Sequence, residues 1–129
     1  VPGNSSEGTK FTVNQSGLYS FEYVSGAYSI YPADRTPADQ ATWLTAVRVF
    51  KNRPIEWNGI GISDSADYRA VDFAYSYTEQ EAEAGAKGQR LTLSLSTGDY
   101  LFLVAVDERP YYSDNPGEVI FEVLFIPEM

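Results

Sequence analysis

Apolar residues recur at every second position along most of this 129-residue chain, and that period is the strongest constraint on its fold. Tyr19, Phe21 and Tyr23 alternate with Ser20 and Glu22, and Leu91, Leu93 and Leu95 alternate with Thr92 and Ser94. Val71, Phe73, Tyr75 and Tyr77 form a third such row, and Val119, Phe121, Val123 and Phe125 a fourth. A period of two places those side chains on one face of a strand, so each row predicts a strand with one buried face. The run Leu101-Phe102-Leu103-Val104-Ala105-Val106 is apolar on both parities, which predicts a central strand covered on both faces. Trp43 to Phe50 reads as a further strand, and Phe11 to Val13 as a short opening one.

Turn residues punctuate these runs at Ser16-Gly17, Ser25-Gly26, Asn58-Gly59, Thr97-Gly98-Asp99 and Asn115-Pro116-Gly117. Seven or eight strands joined this way predict an all-β fold, a two-sheet antiparallel β-sandwich of jelly-roll type. One segment departs from the pattern. Thr78-Glu79-Gln80-Glu81 satisfies the capping-box pattern ahead of an Ala- and Glu-rich stretch, so a short helix is expected to Ala86, limited by Gly85 and Gly88.

The length and the 43% hydrophobic content suit one domain with one core. Residues 1–8, Val1-Pro2-Gly3-Asn4-Ser5-Ser6-Glu7-Gly8, have a linker composition, which leaves 9–129 as the domain and suggests one module of a larger secreted or surface protein. The chain has no Cys and no His. Disulfides, thiolate sites, imidazole bases and Ser-His or Cys-His triads are therefore out of reach. Nine basic against eighteen acidic residues give a net charge of −9, which disfavours nucleic acid and anionic membrane surfaces. No apolar run is long enough to span a bilayer. The chemistry left is that of carboxylates, amides, hydroxyls and aromatic rings, which suits hard cations and ring stacking better than catalysis.

The densest set of such groups follows the doubly apolar run. Asp107 lies on the parity of Leu101, Leu103 and Ala105, so its carboxylate points toward the layer they line and needs a partner. A short loop then returns Asp114 and Asn115 ahead of Gly117. Calcium takes six to eight oxygens, and these three side chains are spaced for one loop to wrap one ion. The same spacing also suits a plain acidic β-turn, so it leaves both readings open.

Val106-Asp107, then Tyr111, then Asp114-Asn115-x-Gly117 resemble the calcium loop of the bacterial galactophilic lectin family, small jelly-roll lectins. The resemblance implies calcium held by Asp107, the Tyr111 carbonyl, Asp114 and Asn115. Gly26-Ala27-Tyr28-Ser29-Ile30-Tyr31-Pro32 is similar to the family's Gly-aromatic-x-x-Tyr segment, which would add the Tyr31 carbonyl. In that family calcium and its side-chain ligands grip two sugar hydroxyls, which implies a glycan or small saccharide as partner. Asp107, Asp114 and Asn115 would contact it, with Tyr28 and Tyr112 as neighbouring rings. The family's sugar pocket usually adds a His, and this chain has none. Calcium is thus implied more firmly than galactose.

Two other classes compete. Lys10 to Val13, Gly17 to Tyr23, Leu95 to Asp99 and Phe121 to Pro127 also resemble the complement and tumour-necrosis-factor jelly roll, a protein-recognition homotrimer. A homo-oligomer is therefore left open. Asp64, Asp67, Asp72, Glu79, Glu81 and Glu83 supply carboxylates enough for a glycosidase-like pair, but their spacing selects no two of them, and a solvated acidic face accounts for them. The reading the residues favour is a non-catalytic, calcium-dependent carbohydrate-binding module, extracellular or on a cell surface.

Overall fold

The structure is a computed structural model that describes residues 1–30, 42–59, 61–63, 65–71, 76–107, 112 and 115–127. Strands dominate it, as the alternation predicts. β1 (Thr9–Thr12), β10 (Tyr100–Ala105), β5 (Val47–Lys51) and β8 (Tyr68–Val71) form a four-stranded antiparallel sheet in the order β1-β10-β5-β8. β11 (Ile120–Pro127), β2 (Gly17–Ser25) and β9 (Arg90–Leu95) form a three-stranded antiparallel sheet in the order β11-β2-β9. Two small ribbons pair β3 (Tyr28–Ser29) with β4 (Trp43–Leu44) and β6 (Trp57–Asn58) with β7 (Gly61–Ile62).

The two larger sheets pack through the rows that the period picks out. Tyr19, Phe21, Leu93 and Leu95 meet Val47, Val49, Leu101 and Leu103 in one buried cluster. Phe11 of β1 crosses between the sheets, with its ring edge-on to Tyr19 at 5.6 Å and to Phe21 at 5.2 Å. A fully buried aromatic stabilises by about 1.5–3 kcal/mol and the half-buried Phe11 by less, so a few cross-sheet contacts hold the layers together. This is the all-β sandwich expected.

The doubly apolar run is β10, and it is central: Leu101 to Ala105 pair with β5 on one side, and Leu101 to Leu103 with β1 on the other. Its second face is covered too, because Ile62 and Ser63 lie over Arg48, the residue opposite Val104. There Arg48 donates to the carbonyls of Ile62 and Ser63, and Val104 is fully buried.

Three details differ from the pattern-based reading. Trp43 to Phe50 is not one strand, because Thr45 and Ala46 break it and send β4 and β5 to different sheets. Tyr77 is exposed just before the helix instead of continuing the row from Val71, and Phe73 and Tyr75 lie outside the described residues. Residues 1–3, of linker composition, lie along the fold: the Val1 ammonium donates to Val119 O at 2.7 Å and Gly3 N donates to Gly117 O at 2.9 Å. The helix forms where the capping box sits. α1 (Glu79–Ala86) starts at Thr78, whose hydroxyl accepts from Glu81 N at 3.1 Å, while Glu81 Oε2 accepts from Tyr77 N. It buries only Ala82 and Ala86. No helix among the described residues is long and apolar enough to cross a membrane.

Candidate metal centre

The predicted loop leaves from the end of β10, and the structure pins that departure with two buried phenols. Val106 N donates to Tyr28 Oη at 2.8 Å, and Tyr28 Oη donates onward to Ala46 O at 2.7 Å. One residue on, Asp107 N donates to Tyr112 Oη at 3.0 Å, and Tyr112 Oη donates to Ala105 O at 2.6 Å. Each hydroxyl both donates and accepts, which satisfies the two backbone amides that leave the ladder where the strand ends. Burial holds the Tyr112 phenol well above its ordinary range, so it stays a neutral donor.

Tyr28 and Tyr112 are 0% and 2% exposed. Their rings therefore offer no face to a sugar, in contrast to the expectation that they flank the ligand. They belong to the core and position Asp107 instead. Trp57 completes this packing, edge-on to Tyr112 at 5.9 Å.

Asn115 closes the cluster. Its backbone N donates to Tyr112 O at 3.0 Å, and its side-chain Nδ2 donates to Asp107 Oδ2 at 2.7 Å and to Gly3 O at 3.1 Å. The carboxylate and the carbonyl thus converge on one point, occupied by the positive end of the amide dipole. The residue is buried, and its Oδ1 has no hydrogen-bond partner among the described residues. Buried acceptors in this state are uncommon and cost about 1–3 kcal/mol each, which marks the position as one that suits a donor or a cation.

Two glycines let the segments that carry these groups approach. Gly26 and Gly117 have φ of +93° and +92°, which glycine tolerates best, and a Cβ on either would overlap a carbonyl oxygen, of Glu118 and Ala27 respectively. The 26–28 and 116–118 segments cross there, joined by Ser29 N donating to Pro116 O at 3.1 Å. The Gly26 segment singled out in the sequence therefore does meet the Asn115-x-Gly117 turn.

Of the predicted ligands, Asp107 and Asn115 come together directly, while Tyr31, Tyr111 and Asp114 lie outside the described residues. Gly3 O joins the cluster from 112 positions away, and nothing in the local sequence signals it. No group of three or more His, Cys, Asp or Glu side chains gathers among the described residues. The oxygens present, carboxylate, amide and carbonyl, are the hard donors that calcium takes and that zinc or copper sites use sparingly.

Glu56 and Asp67 are engaged elsewhere. Arg53 binds Glu56 Oε2 through Nη1 at 2.6 Å and Asp67 Oδ2 through Nε at 3.1 Å. Burial pushes the Asp67 carboxyl up, but the Lys51 N–H and the Arg53 guanidinium outweigh it and hold the group below the usual carboxylate range. Glu79, Glu81 and Glu83 lie on α1, and Asp64 and Asp72 lie outside the described residues. No protein-family model, curated protein or solved structure matches this chain.

Proposed function

We propose that this chain is a calcium-dependent carbohydrate-binding module without catalytic activity, part of a secreted or surface protein. The observation that carries this reading is the buried Asn115 Oδ1, without a partner among the described residues, on the amide whose Nδ2 holds the Asp107 carboxylate and the Gly3 carbonyl. A buried amide oxygen left without a donor is a group that a hard cation relieves. The likeness of Asp107 to Gly117 to the galactophilic lectin loop supports the same reading. Asp107, Asp114 and Asn115 would hold calcium through side-chain oxygens, and Tyr111 and Tyr31 through carbonyls.

When bound, calcium supplies the positive centre against which sugar hydroxyls orient. The chain's own carboxylates would accept hydrogen bonds from those hydroxyls. Tyr28 and Tyr112 serve by fixing the backbone of Val106 and Asp107, not by stacking on the ligand.

Thermal melting in calcium and in chelator tests this directly. An ion at about a hundred times its dissociation constant stabilises by about 2.7 kcal/mol, which for a domain of this size shifts Tm by roughly 10 °C. The shift is expected in the wild type and lost in Asp107→Asn. A melting curve unchanged across millimolar calcium would sink the proposal. If calcium responds, a glycan array read with and without chelator identifies the sugar. A light-scattering mass of three chains without any calcium effect would favour the complement-type homotrimer instead.

A further inference from the structure

The three-stranded sheet ends in a strand that is an edge among the described residues. β11 pairs with β2 along its whole length and with no other strand among the described residues. Five of the eight large apolar side chains that the described residues expose lie on it: Ile120, Val123, Leu124, Phe125 and Ile126, and Leu18 lies directly opposite Ile126 on β2. Ile126 is 63% exposed, and even Val123 and Phe125, on the parity that faces the core, are 39% and 37% exposed.

Both faces of one edge strand are therefore apolar and open. A partner laid flat on the sheet would cover one parity only, whereas a strand added to the edge flanks both and also pairs the free backbone row. Other edges here are short or charged: β1 has four residues including Lys10, β8 carries Arg69 and β9 carries Arg90. β11 has eight residues, a single charge at Glu122, and Pro127 only at its end.

We infer that β11 pairs antiparallel with β11 of a second copy of this chain, joining two three-stranded sheets into one of six. The pleat restricts the register. Directly opposed residues share a face, so core-side residues must oppose core-side residues across a twofold axis, and the two residue numbers of each pair must have an even sum. Centring the axis on Val123 sets Phe121 against the partner's Phe125, Ile120 against the partner's Ile126, and Glu122 against the partner's Leu124. Centring it one residue earlier would face Glu122 with its own copy, which like charges disfavour.

The side chains named leave on the order of 400–500 Å² of apolar surface per chain, the size of the largest apolar patches on monomers, which are often functional. With the backbone row added, that approaches the roughly 600 Å² per partner at the lower end of stable interfaces. A groove of about 270 Å³ opens beside the same strand, lined by Phe11, Phe21, Leu103, Val119, Phe121 and Val123, and extends the apolar surface to the core side. The net charge of −9 on each copy opposes association, so salt strengthens it.

Light scattering from about 1 to about 300 μM tests the pairing, with calcium and with chelator, since it is independent of the metal. The expected mass is twice 14.3 kDa in both conditions, with more dimer at higher salt. Leu124→Glu sets like charges opposite Glu122 twice and should weaken the dimer at least tenfold, whereas Leu124→Lys sets opposite charges there and should keep it. Melting curves of dilute variants check folding, and Ile126→Glu, at the most exposed position, replaces Leu124→Glu should that variant not fold. A wild-type monomer throughout the range overturns the inference and leaves the edge to a strand of some other protein. A trimer overturns it, and so does a dimer that treats the Glu and Lys variants alike.

Discussion

β10 and β11 are the two most continuously apolar strands of the molecule, and they meet opposite fates. Tyr-Leu-Phe-Leu-Val-Ala is paired on both sides and covered on both faces, so Leu101, Val104 and Ala105 are fully buried. Ile-Phe-Glu-Val-Leu-Phe-Ile-Pro is paired on one side and leaves most of its apolar side chains in solvent. A strand's own residues state that it can be covered on both faces. Whether anything covers it depends on what the rest of the chain brings: for β10 it includes Ile62 and Ser63, and for β11 nothing within the described residues does so.

The largest test of that contrast places a charge in each strand. Val104→Asp buries a carboxylate without a partner and should cost more than about 4 kcal/mol, enough to unfold the domain. Leu124→Glu should leave the unfolding free energy of the dilute chain within about 0.5 kcal/mol of wild type. Urea titrations of both variants decide it, and equal losses would mean that the two strands do not differ as described.

A middle-sized effect separates how β11 is hung from how it is covered. Gly117 precedes the strand at φ +92° and abuts the Ala27 carbonyl, so Gly117→Ala should cost about 2–4 kcal/mol and weaken the calcium response with it. Gly59, at φ +66° with open space around the missing Cβ, should lose only about 1 kcal/mol on the same change. Similar costs for the two would place the whole penalty in the backbone angle and none in the crossing of segments.

The smallest effect is acid sensitivity on the four-stranded side. The Ser96 N–H and the Asn52 amide hold the Asp99 carboxyl low, the Ser65 hydroxyl and Arg53 hold Glu56 low, and Asp67 is held low as well. Each is lower folded than unfolded, so its contribution is present above the unfolded value near 4 and is lost as pH falls through the folded one. Tm should therefore drop modestly below about pH 4, and less in high salt because these groups are exposed. Asp99→Asn should blunt the drop.

Much of the fold was legible in the chain because strand period and turn chemistry are local. The rows at Tyr19 and Leu91, the central run at Leu101 and the helix at Thr78 each formed where their residues indicated. The break at Thr45-Ala46 was not legible, since both halves keep strand-like residues and only their partners differ. The candidate site divides in the same way. Asp107 and Asn115 stand out because a carboxylate and an amide flank a strand end and a Gly turn. The roles of Tyr28 and Tyr112 were not visible, because a tyrosine in a loop and one under it look the same until burial is known. Gly3 was invisible because its contribution is a backbone carbonyl, which every residue possesses.

The sequence by itself determined that this chain builds antiparallel sheets, that it works without imidazole or thiol, and that its oxygen donors concentrate after β10. Those properties follow from side-chain identity and a spacing of two. Only the tertiary structure decided which apolar strand is interior and which is an edge among the described residues, which tyrosines are supports, and that the buried amide oxygen of Asn115 has no partner among the described residues. These depend on contacts between residues up to 112 positions apart, and burial is a property of the neighbours a residue acquires, not of the residue.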